Sequence, residues 1–180
     1  MEYELILKAA HFAAEKHRDQ RRKGSEASPY INHPISVALI LSEIGGVDNP
    51  AVISAALLHD TIEDTNTTPE ELEAEFGSKI RSLVEEVTDD KSLPKVERKK
   101  GQIEHASKLS SKAAYIKLAD KICNVRDVTY SPPSHWDIDR RKKYFDWAEE
   151  VIKNCPNVNP SLKEYFDKTL MEGRKVLLSQ

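Results

Sequence analysis

The strongest constraint in this 180-residue chain is an apolar segment, residues 51–58, that runs directly into the pair His59-Asp60. Asn49 and Pro50 precede the segment, and they are typical of a helix N-cap and of the first helical position. A helix that is apolar on all sides is buried in the core. A carboxylate is costly in such a place without a partner, and a bound cation would supply one. We therefore predict a buried helix whose C-terminal end presents His59 and Asp60 to a metal ion.

Helix signals of the same kind recur along the chain. Thr68 before Pro69 fits a capped helix start, and Ser134 with Asp137 marks another. Apolar residues return at helical spacing between these signals, and no stretch keeps the period-two alternation of a half-buried β-strand. We therefore predict a single all-α domain over residues 1–180, with about eight or nine helices.

The composition limits the classes of partner and the cellular compartments that we expect for the protein. The formal net charge of −3 argues against a general nucleic-acid binder, although local basic clusters exist. Cys123 and Cys155 form no disulfide framework, which indicates a reducing compartment. The chain starts without a basic and apolar leader, and its longest apolar run, ending at Leu58, is far shorter than the roughly 18 residues of a membrane span. We expect a cytoplasmic protein without a membrane partner.

Two further residues could complete a metal site around His59 and Asp60. His33 precedes Pro34 at the expected N-terminal rim of a helix, where the dipole favours the neutral imidazole that binds metals. Asp120 lies at the edge of the apolar face of its helix, where a carboxylate needs a partner. These four side chains offer two nitrogen and two oxygen ligands, a set that suits Mn²⁺, Fe²⁺, Zn²⁺ or Co²⁺ better than Ca²⁺.

Each of these residues also has an ordinary structural interpretation. His33 alone could cap a helix or pack in the core, and Asp120 could pair with Lys117 three positions earlier. His11 and His17 lie on different faces of a helix, so we interpret both as ordinary surface or edge residues. Spacing alone leaves open whether the four ligands converge.

Glu63 and Asp64 lie about one helical turn beyond His59-Asp60. That position brings them near a metal bound there without making them ligands. Two neighbouring carboxylates can differ in pKa, so that one serves as an acid and the other as a base. The alternative is a solvated loop, or a cap for the helix that starts near Pro69.

Six ordered motifs make the chain similar to a known family. They are Gln20-Arg21-Arg22-Lys23, Pro29-Tyr30-Ile31-Asn32-His33-Pro34, Ala55-Ala56-Leu57-Leu58-His59-Asp60, Glu63-Asp64-Thr65, Glu85-Glu86-Val87-Thr88-Asp89-Asp90-Lys91 and Lys117-Leu118-Ala119-Asp120-Lys121. With them the chain resembles the hydrolase domain of the RelA/SpoT homologues, in the HD superfamily of metal-dependent phosphohydrolases. It is most similar to the small metazoan members. The resemblance covers nearly the whole chain, including residues 144–148.

The resemblance implies an Mn²⁺-dependent hydrolase that removes the 3′-pyrophosphate from the alarmone (p)ppGpp, giving GDP or GTP and pyrophosphate. The chain has no room for the synthetase and regulatory domains of the long bacterial members, so we expect a hydrolase only. Glu63 and Asp64 would be the acid/base pair that activates water, and Arg22 would stack on the base. The metal ligands implied are His33, His59, Asp60 and Asp120. The other substrate contacts implied are Lys23, Lys95, Asn124, Arg140 and Tyr144.

Three alternatives remain open on the sequence alone. The same site could act on another phosphorylated nucleotide, for example by removing the 2′-phosphate of NADPH. The protein could instead be a non-catalytic nucleotide sensor. It could also be a nucleic-acid-binding module that uses its basic clusters, which the net acidity makes the weakest alternative. We expect a small-molecule nucleotide as the partner, no nucleic acid, and a monomer or weak homo-oligomer.

Overall fold

The computed structural model describes residues 2–179, and within them the chain forms ten helical segments. Nine of these have eight residues or more, and the remaining one is a single turn that follows His59-Asp60. The all-α fold is therefore confirmed for the described residues, where Arg21 and Pro29 form an isolated β-bridge and no strand occurs. The segments are α1 (Glu2–Lys16), α2 (Asn32–Glu43), α3 (Pro50–Leu58), α4 (Thr61–Asp64), α5 (Pro69–Phe76), α6 (Ser78–Val87), α7 (Lys95–Ala106), α8 (Ser111–Tyr130), α9 (Ile138–Asn154) and α10 (Pro160–Leu178).

Helix α3 lies at the centre of the molecule. The side chain of Asn49 accepts hydrogen bonds from the backbone nitrogens of Ala51 and Val52, at 3.1 and 3.3 Å, so the predicted cap is confirmed. Every residue from Val52 to Leu58 is buried, and the helix packs against α1, α2, α6 and α8. Each large apolar side chain buried in this way stabilises the fold by about 1.5–3 kcal/mol. The residues that follow α3 are therefore held against a rigid core.

Helix α8 is the second long support of the site. Its N-cap Ser110 accepts a hydrogen bond from the backbone nitrogen of Ala113, and α2, α6, α9 and α10 all pack against it. Helix α10 approaches closely at Gly173, where a Cβ atom would come within 2.7 Å of the Thr129 hydroxyl and 3.0 Å of the Phe145 ring. This side-chain-free position lets α10 pack closely on α8 and α9.

The N-cap of helix α9 lies three residues after Ser134, the first of its two sequence signals. Asp137, rather than Ser134, is the N-cap, and its carboxylate accepts from the backbone nitrogen of Arg140 at 2.7 Å. Ser134 lies in a turn in which the Trp136 nitrogen donates to the Pro133 carbonyl. None of the helices in the described part combines the length and apolar character that a membrane span needs.

Candidate metal centre and active site

The four residues that the sequence singled out as metal ligands come together in the folded chain. His33 is in the first turn of α2, His59 and Asp60 form the connection between α3 and α4, and Asp120 is in the middle of α8. The His33 Nε2 atom lies 3.1 Å from Asp120 Oδ1 and 3.6 Å from Asp60 Oδ2. The His59 Nε2 atom lies 3.1 Å from Asp60 Oδ2 and 3.7 Å from Asp120 Oδ1. Each imidazole Nε2 atom thus lies within 3.7 Å of an oxygen of both carboxylates, and His33, His59 and Asp60 offer ligand atoms that all lie within 4.8 Å of one another.

The orientation of the His59 imidazole leaves one ring nitrogen for a ligand. Its Nδ1 atom is 2.7 Å from the Ala56 carbonyl oxygen. Because that oxygen can only accept, Nδ1 must carry the hydrogen, and Nε2 then faces the cluster. The Nε2 atom is buried and makes no hydrogen bond of acceptable geometry. A buried nitrogen without a partner, together with a ligand group of His33, His59 and Asp60 atoms within 4.8 Å, fits a divalent cation.

The electrostatics of the cluster point to a competition between protons and a metal. At His33, burial dominates and lowers the pKa. At His59, burial also lowers the pKa, but Asp60 and Asp120 outweigh it and raise the pKa to about 10. Burial would raise the pKa of both carboxyls, yet His59 and Lys121 respectively hold them below their usual range. A cation would displace the proton that these carboxylates keep on His59, so metal binding there should release a proton.

The charge partner of Asp120 differs from the one that the sequence suggested. Lys121 contacts it, with Nζ 3.1 Å from Asp120 Oδ2. Lys117 instead donates to the Val87 carbonyl oxygen at 2.9 Å, so the proposed pairing of Lys117 with Asp120 is not formed. Both lysines are buried. Asp120 is thereby fixed by its own neighbour on α8 and keeps Oδ1 for the cluster.

A chain of polar contacts links Asp120 to the nucleotide-binding residues predicted on the loop after α1. Asn124 donates to Asp120 Oδ1 at 2.6 Å and accepts from the Arg22 guanidinium at 2.8 Å. Arg22 also pairs with Asp127, at 2.6 Å. Burial would lower the pKa of Arg22, but Asp127 outweighs it and the pKa is raised. The guanidinium, which lies 5.4 Å from the centre of the Tyr30 ring, is therefore a fixed, permanently charged plane.

Glu63 and Asp64 both face the cavity, but their surroundings differ. Glu63 accepts a hydrogen bond from the backbone nitrogen of Asp89 at 3.1 Å. Burial, and then the Asp89 carboxylate, raise the pKa of Glu63 to about 7. Asp64 is contacted by the Lys91 ammonium and by the Tyr30 hydroxyl, the latter at 3.0 Å. The two carboxyls thus have the unequal environments that acid/base chemistry uses.

Tyr30 and His17 are residues that the sequence reasoning assigned no role at this site. The Tyr30 hydroxyl is 2.7 Å from Asp60 Oδ2 as well as 3.0 Å from Asp64 Oδ2. The His17 ring stacks on Tyr30 with centroids 4.7 Å apart. His11 is exposed as expected, whereas His17 is buried, so its assignment to the surface or to an edge was wrong. A tyrosine and a histidine that meet only through tertiary packing leave no periodic signal in the sequence.

The cluster opens into a cavity of about 440 Å³. One wall is aromatic: Tyr144 lies between Trp136 and Trp147, with ring centroids 5.6 and 5.4 Å away. Eleven of the twelve residues singled out from the sequence line this cavity, and Arg140 does not. Arg140 is exposed, and its guanidinium lies over Trp136 at 4.6 Å.

Eight lysine and arginine side chains line the cavity, against six aspartate and glutamate side chains. Burial lowers the pKa of Lys95, and so do the neighbouring cations Arg140, Lys23 and Arg98. The same two causes lower the pKa of Lys99, which lies 4.6 Å from the centre of the Trp147 ring. Mutually repelling cations in a cleft attract a polyanion. Lys99 belongs to this wall although the sequence reasoning did not select it.

Comparison with known proteins identifies the family. Residues 9–144 match the family described as the HD domain. The chain belongs to the HD domain family. This HD-domain protein is 55% identical over 168 residues to a Xenopus tropicalis protein, covering 93% of this chain and 94% of the relative. It is 53% identical over 159 residues to a human protein, covering 88% and 89%. Both relatives are named guanosine-3′,5′-bis(diphosphate) 3′-pyrophosphohydrolase MESH1.

A solved structure extends the similarity to three dimensions. It is described as a metazoan orthologue of SpoT that hydrolyses ppGpp, and it superimposes on this HD-domain protein with a TM-score of 0.90. The two chains are 45% identical, and the match covers 93% of this chain and 94% of the other. A bacterial relative from Aquifex aeolicus is 44% identical over 92% of this chain, which spans only 28% of that longer protein. The resemblance inferred from the six motifs is confirmed.

Proposed function

We propose that the protein is an Mn²⁺-dependent hydrolase that removes the 3′-pyrophosphate of ppGpp and yields GDP and pyrophosphate. The observation that carries the proposal is the convergence of His33, His59, Asp60 and Asp120 at the floor of a cation-lined cavity. Relatives that share about half of the sequence over nearly their whole length bear the name of this activity.

The proposed reaction breaks the bond between the ribose 3′-oxygen and the adjoining phosphorus. The oxygen of a water molecule attacks that phosphorus, the water loses a proton, and the departing 3′-oxygen gains one. A divalent cation held by the two imidazoles and two carboxylates would make water more acidic and offset charge on the phosphoryl oxygens. Because mixed nitrogen and oxygen ligands suit several first-row ions, Mn²⁺ is proposed, with Zn²⁺, Fe²⁺ and Co²⁺ as alternatives.

The protein's own proton-transfer group in this scheme is Glu63. In the metal-free protein the pKa of Glu63 is about 7, and a carboxyl that titrates near neutral pH can accept a proton from water and release it again. Asp64 is held by the Lys91 ammonium and the Tyr30 hydroxyl, so we assign it the task of orienting the water and, with Glu63, of supplying a proton to the leaving oxygen.

The substrate is proposed to lie along the cationic and aromatic wall. Lys23, Lys95 and Tyr144 would contact phosphate oxygens, together with Lys99, and Arg140 would approach them from outside the wall. Arg22 is held in place by Asp127 and Asn124 and covers Tyr30 with one face. The guanine base would stack on its other face, and Asn124 would contact the nucleoside.

The state and location of the protein are proposed from the sequence. We infer one hydrolase domain over residues 1–180, which acts as a monomer or weak homo-oligomer in the cytoplasm. Sedimentation equilibrium at micromolar concentration tests the first property, because a stable dimer would show twice the mass of 20.4 kDa. Fractionation of cells that express the tagged full chain tests the second.

Product analysis tests the proposed activity. Chelator-treated protein is resupplied with Mn²⁺ and incubated with ppGpp, and in parallel with NADPH, beside an Asp120→Ala variant. We expect GDP and pyrophosphate from ppGpp, and no product from the variant. Faster release of orthophosphate from NADPH would keep the mechanism but overturn the substrate. Binding of ppGpp without turnover would overturn the enzymatic proposal in favour of a nucleotide sensor.

A further inference from the structure

The buried side chain of Tyr30 contacts both halves of the proposed hydrolytic machinery. Its hydroxyl is 2.7 Å from Asp60 Oδ2 and 3.0 Å from Asp64 Oδ2. Asp60 belongs to the metal cluster, and Asp64 belongs to the acid/base pair. A hydroxyl has a single hydrogen to share between these two acceptors, so a displacement of either carboxylate weakens its bond to the tyrosine.

The oxygen that Tyr30 contacts on Asp60 is the one that faces the two imidazoles. Asp60 Oδ2 is also the atom that lies 3.1 Å from His59 Nε2 and 3.6 Å from His33 Nε2. The hydroxyl therefore fixes the position of the ligand oxygen itself. A hydrogen bond to a ligand atom restricts both its orientation and its charge, and such partners matter for affinity and activity.

The tyrosine ring is held rigidly enough to act in this way. It is 9% exposed, it stacks on His17 at an angle of 26°, and the Arg22 guanidinium lies 5.4 Å from its centre. The Tyr30 backbone nitrogen donates to the Gln20 carbonyl oxygen at 3.0 Å, and the Gln20 side chain bonds to the His17 ring at 2.6 Å. The position of the hydroxyl is thus fixed by the packing of the tyrosine ring.

We propose that Tyr30 is a positioning residue that sets the distance between the metal site and Asp64. The inference rests on the proposed function, because it assigns to Asp64 a part in the reaction. The packed ring holds the hydroxyl in place, and the hydroxyl links Asp60 to Asp64 by hydrogen bonds. Removal of the hydroxyl alone should therefore change the chemical step and the hold on the metal without changing the fold.

Tyr30→Phe tests this role, with Tyr165→Phe as a matched control that removes a hydroxyl from α10, outside the cavity. For Tyr30→Phe we expect kcat at saturating Mn²⁺ to fall roughly 10- to 100-fold while KM changes less than about threefold. Calorimetric titration of metal-free protein with MnCl₂ should show a Kd weakened on the order of 10-fold. The Tm of both variants should stay close to that of the wild type.

The two readouts separate failure of this inference from failure of the proposed function. A wild-type kcat and a wild-type Mn²⁺ Kd in Tyr30→Phe would overturn the positioning role. So would a higher KM with unchanged kcat, because it would make Tyr30 a substrate contact. If the wild-type protein itself releases no pyrophosphate, the proposed function fails, and the Mn²⁺ Kd alone then decides whether Tyr30 positions Asp60.

Discussion

Helix α3, which leads into His59 and Asp60, and helix α7, which lines the cavity, differ in almost every physical respect. Helix α3 has an N-cap that uses its side chain, seven buried residues among nine, and neighbours on all sides. Helix α7 begins after Pro94 without a side-chain cap, buries only Ala106 among twelve residues, and packs on α9. The first supports the proposed metal ligands His59 and Asp60, and the second carries Lys95, Arg98, Lys99 and Gln102 into the cavity.

The difference in packing between α3 and α7 suits metal binding by the first and phosphate binding by the second. Metal ligands must stay within a few tenths of an ångström of a fixed geometry, which only a packed core provides. A phosphate-binding wall must admit a large polyanion and release its products, and elements of low local stability serve that purpose. Glu63 lies at the boundary, because it follows α3 in the chain but bonds to Asp89, in the connection that leads to α7. The following expectations separate the two sides, from the largest effect to the smallest.

Asp120→Ala should have the largest effect, because it removes a proposed metal ligand that the core helix α8 holds in place. We expect activity to fall at least roughly 1,000-fold, since the group that activates water is lost. Mn²⁺ binding, measured by calorimetry, should weaken in parallel. The control is Asp146→Asn, which changes an exposed carboxylate on α9 that pairs with Arg174 on α10. Retained Mn²⁺ affinity in Asp120→Ala would show that Asp120 is not a ligand.

Glu63→Gln should separate proton transfer from metal binding. Loss of a positioned acid/base group costs about 100- to 10,000-fold in rate, so kcat should fall within that range. The Mn²⁺ Kd should change less than threefold, because Glu63 is near the ligands without being one. Glu75→Gln, which removes the negative charge of an exposed carboxylate on α5, should leave both unchanged. A large loss of Mn²⁺ affinity in Glu63→Gln would instead make Glu63 a ligand.

The raised pKa of Glu63 also gives a stability effect in metal-free protein. Its carboxyl has a pKa of about 7 in the folded state and 4.5 ordinarily, so the folded state binds the proton more tightly. Its contribution to stability is therefore present below pH 4.5 and is lost as the pH rises towards about 7. Urea unfolding measures this contribution. Between pH 5 and pH 8, the free energy of unfolding of the wild type should fall by about 3 kcal/mol at most relative to that of Glu63→Gln. Equal pH dependence of the two proteins would contradict the raised pKa.

Trp147→Phe should affect the cavity side formed by α7. The indole nitrogen donates to the Lys99 carbonyl oxygen at 3.0 Å, and this bond joins α7 to α9. Its loss should cost about 1 kcal/mol, so KM for ppGpp should rise about fivefold while kcat changes less than twofold. Steady-state kinetics checks both values. A change in kcat with unchanged KM would show that α7 takes part in the chemical step.

Gly101→Ala should give the smallest effect, in the opposite direction. A Cβ atom at this position meets nothing within 4 Å, and alanine favours a helix by about 1 kcal/mol over glycine. Amide hydrogen exchange in α7 should slow about fivefold, whereas α3 should be unchanged. If exchange slowed equally in both helices, α7 would not open independently of the core.

Local signals predicted the scaffold better than the site. Asn49, Pro50 and the apolar residues after them specify α3 within a few positions, and the structure confirms that helix. Spacing could not show that His33 and Asp120 meet, because they are distant in the chain and only packing of α2 on α8 brings them together. Their grouping was proposed from donor chemistry and then from the family resemblance.

Side-chain direction accounts for the remaining differences. Lys117 and Lys121 are both within one turn of Asp120, and helical spacing alone does not say that the first reaches Val87. Tyr30 lies in a loop without periodicity, so only the folded chain shows its contacts with two carboxylates. Lys99 lies on a polar helix whose cavity-facing side is not distinguished by apolar residues.

The most direct test of the central claim, that the metal site is preformed by the core, is a titration of metal-free protein with Mn²⁺ without nucleotide. Electron paramagnetic resonance reports the free ion. We expect one Mn²⁺ to be bound per wild-type chain, with no need for ppGpp, and no such binding by Asp120→Ala. Binding that requires nucleotide, or that survives in Asp120→Ala, would contradict a metal site built from His33, His59, Asp60 and Asp120.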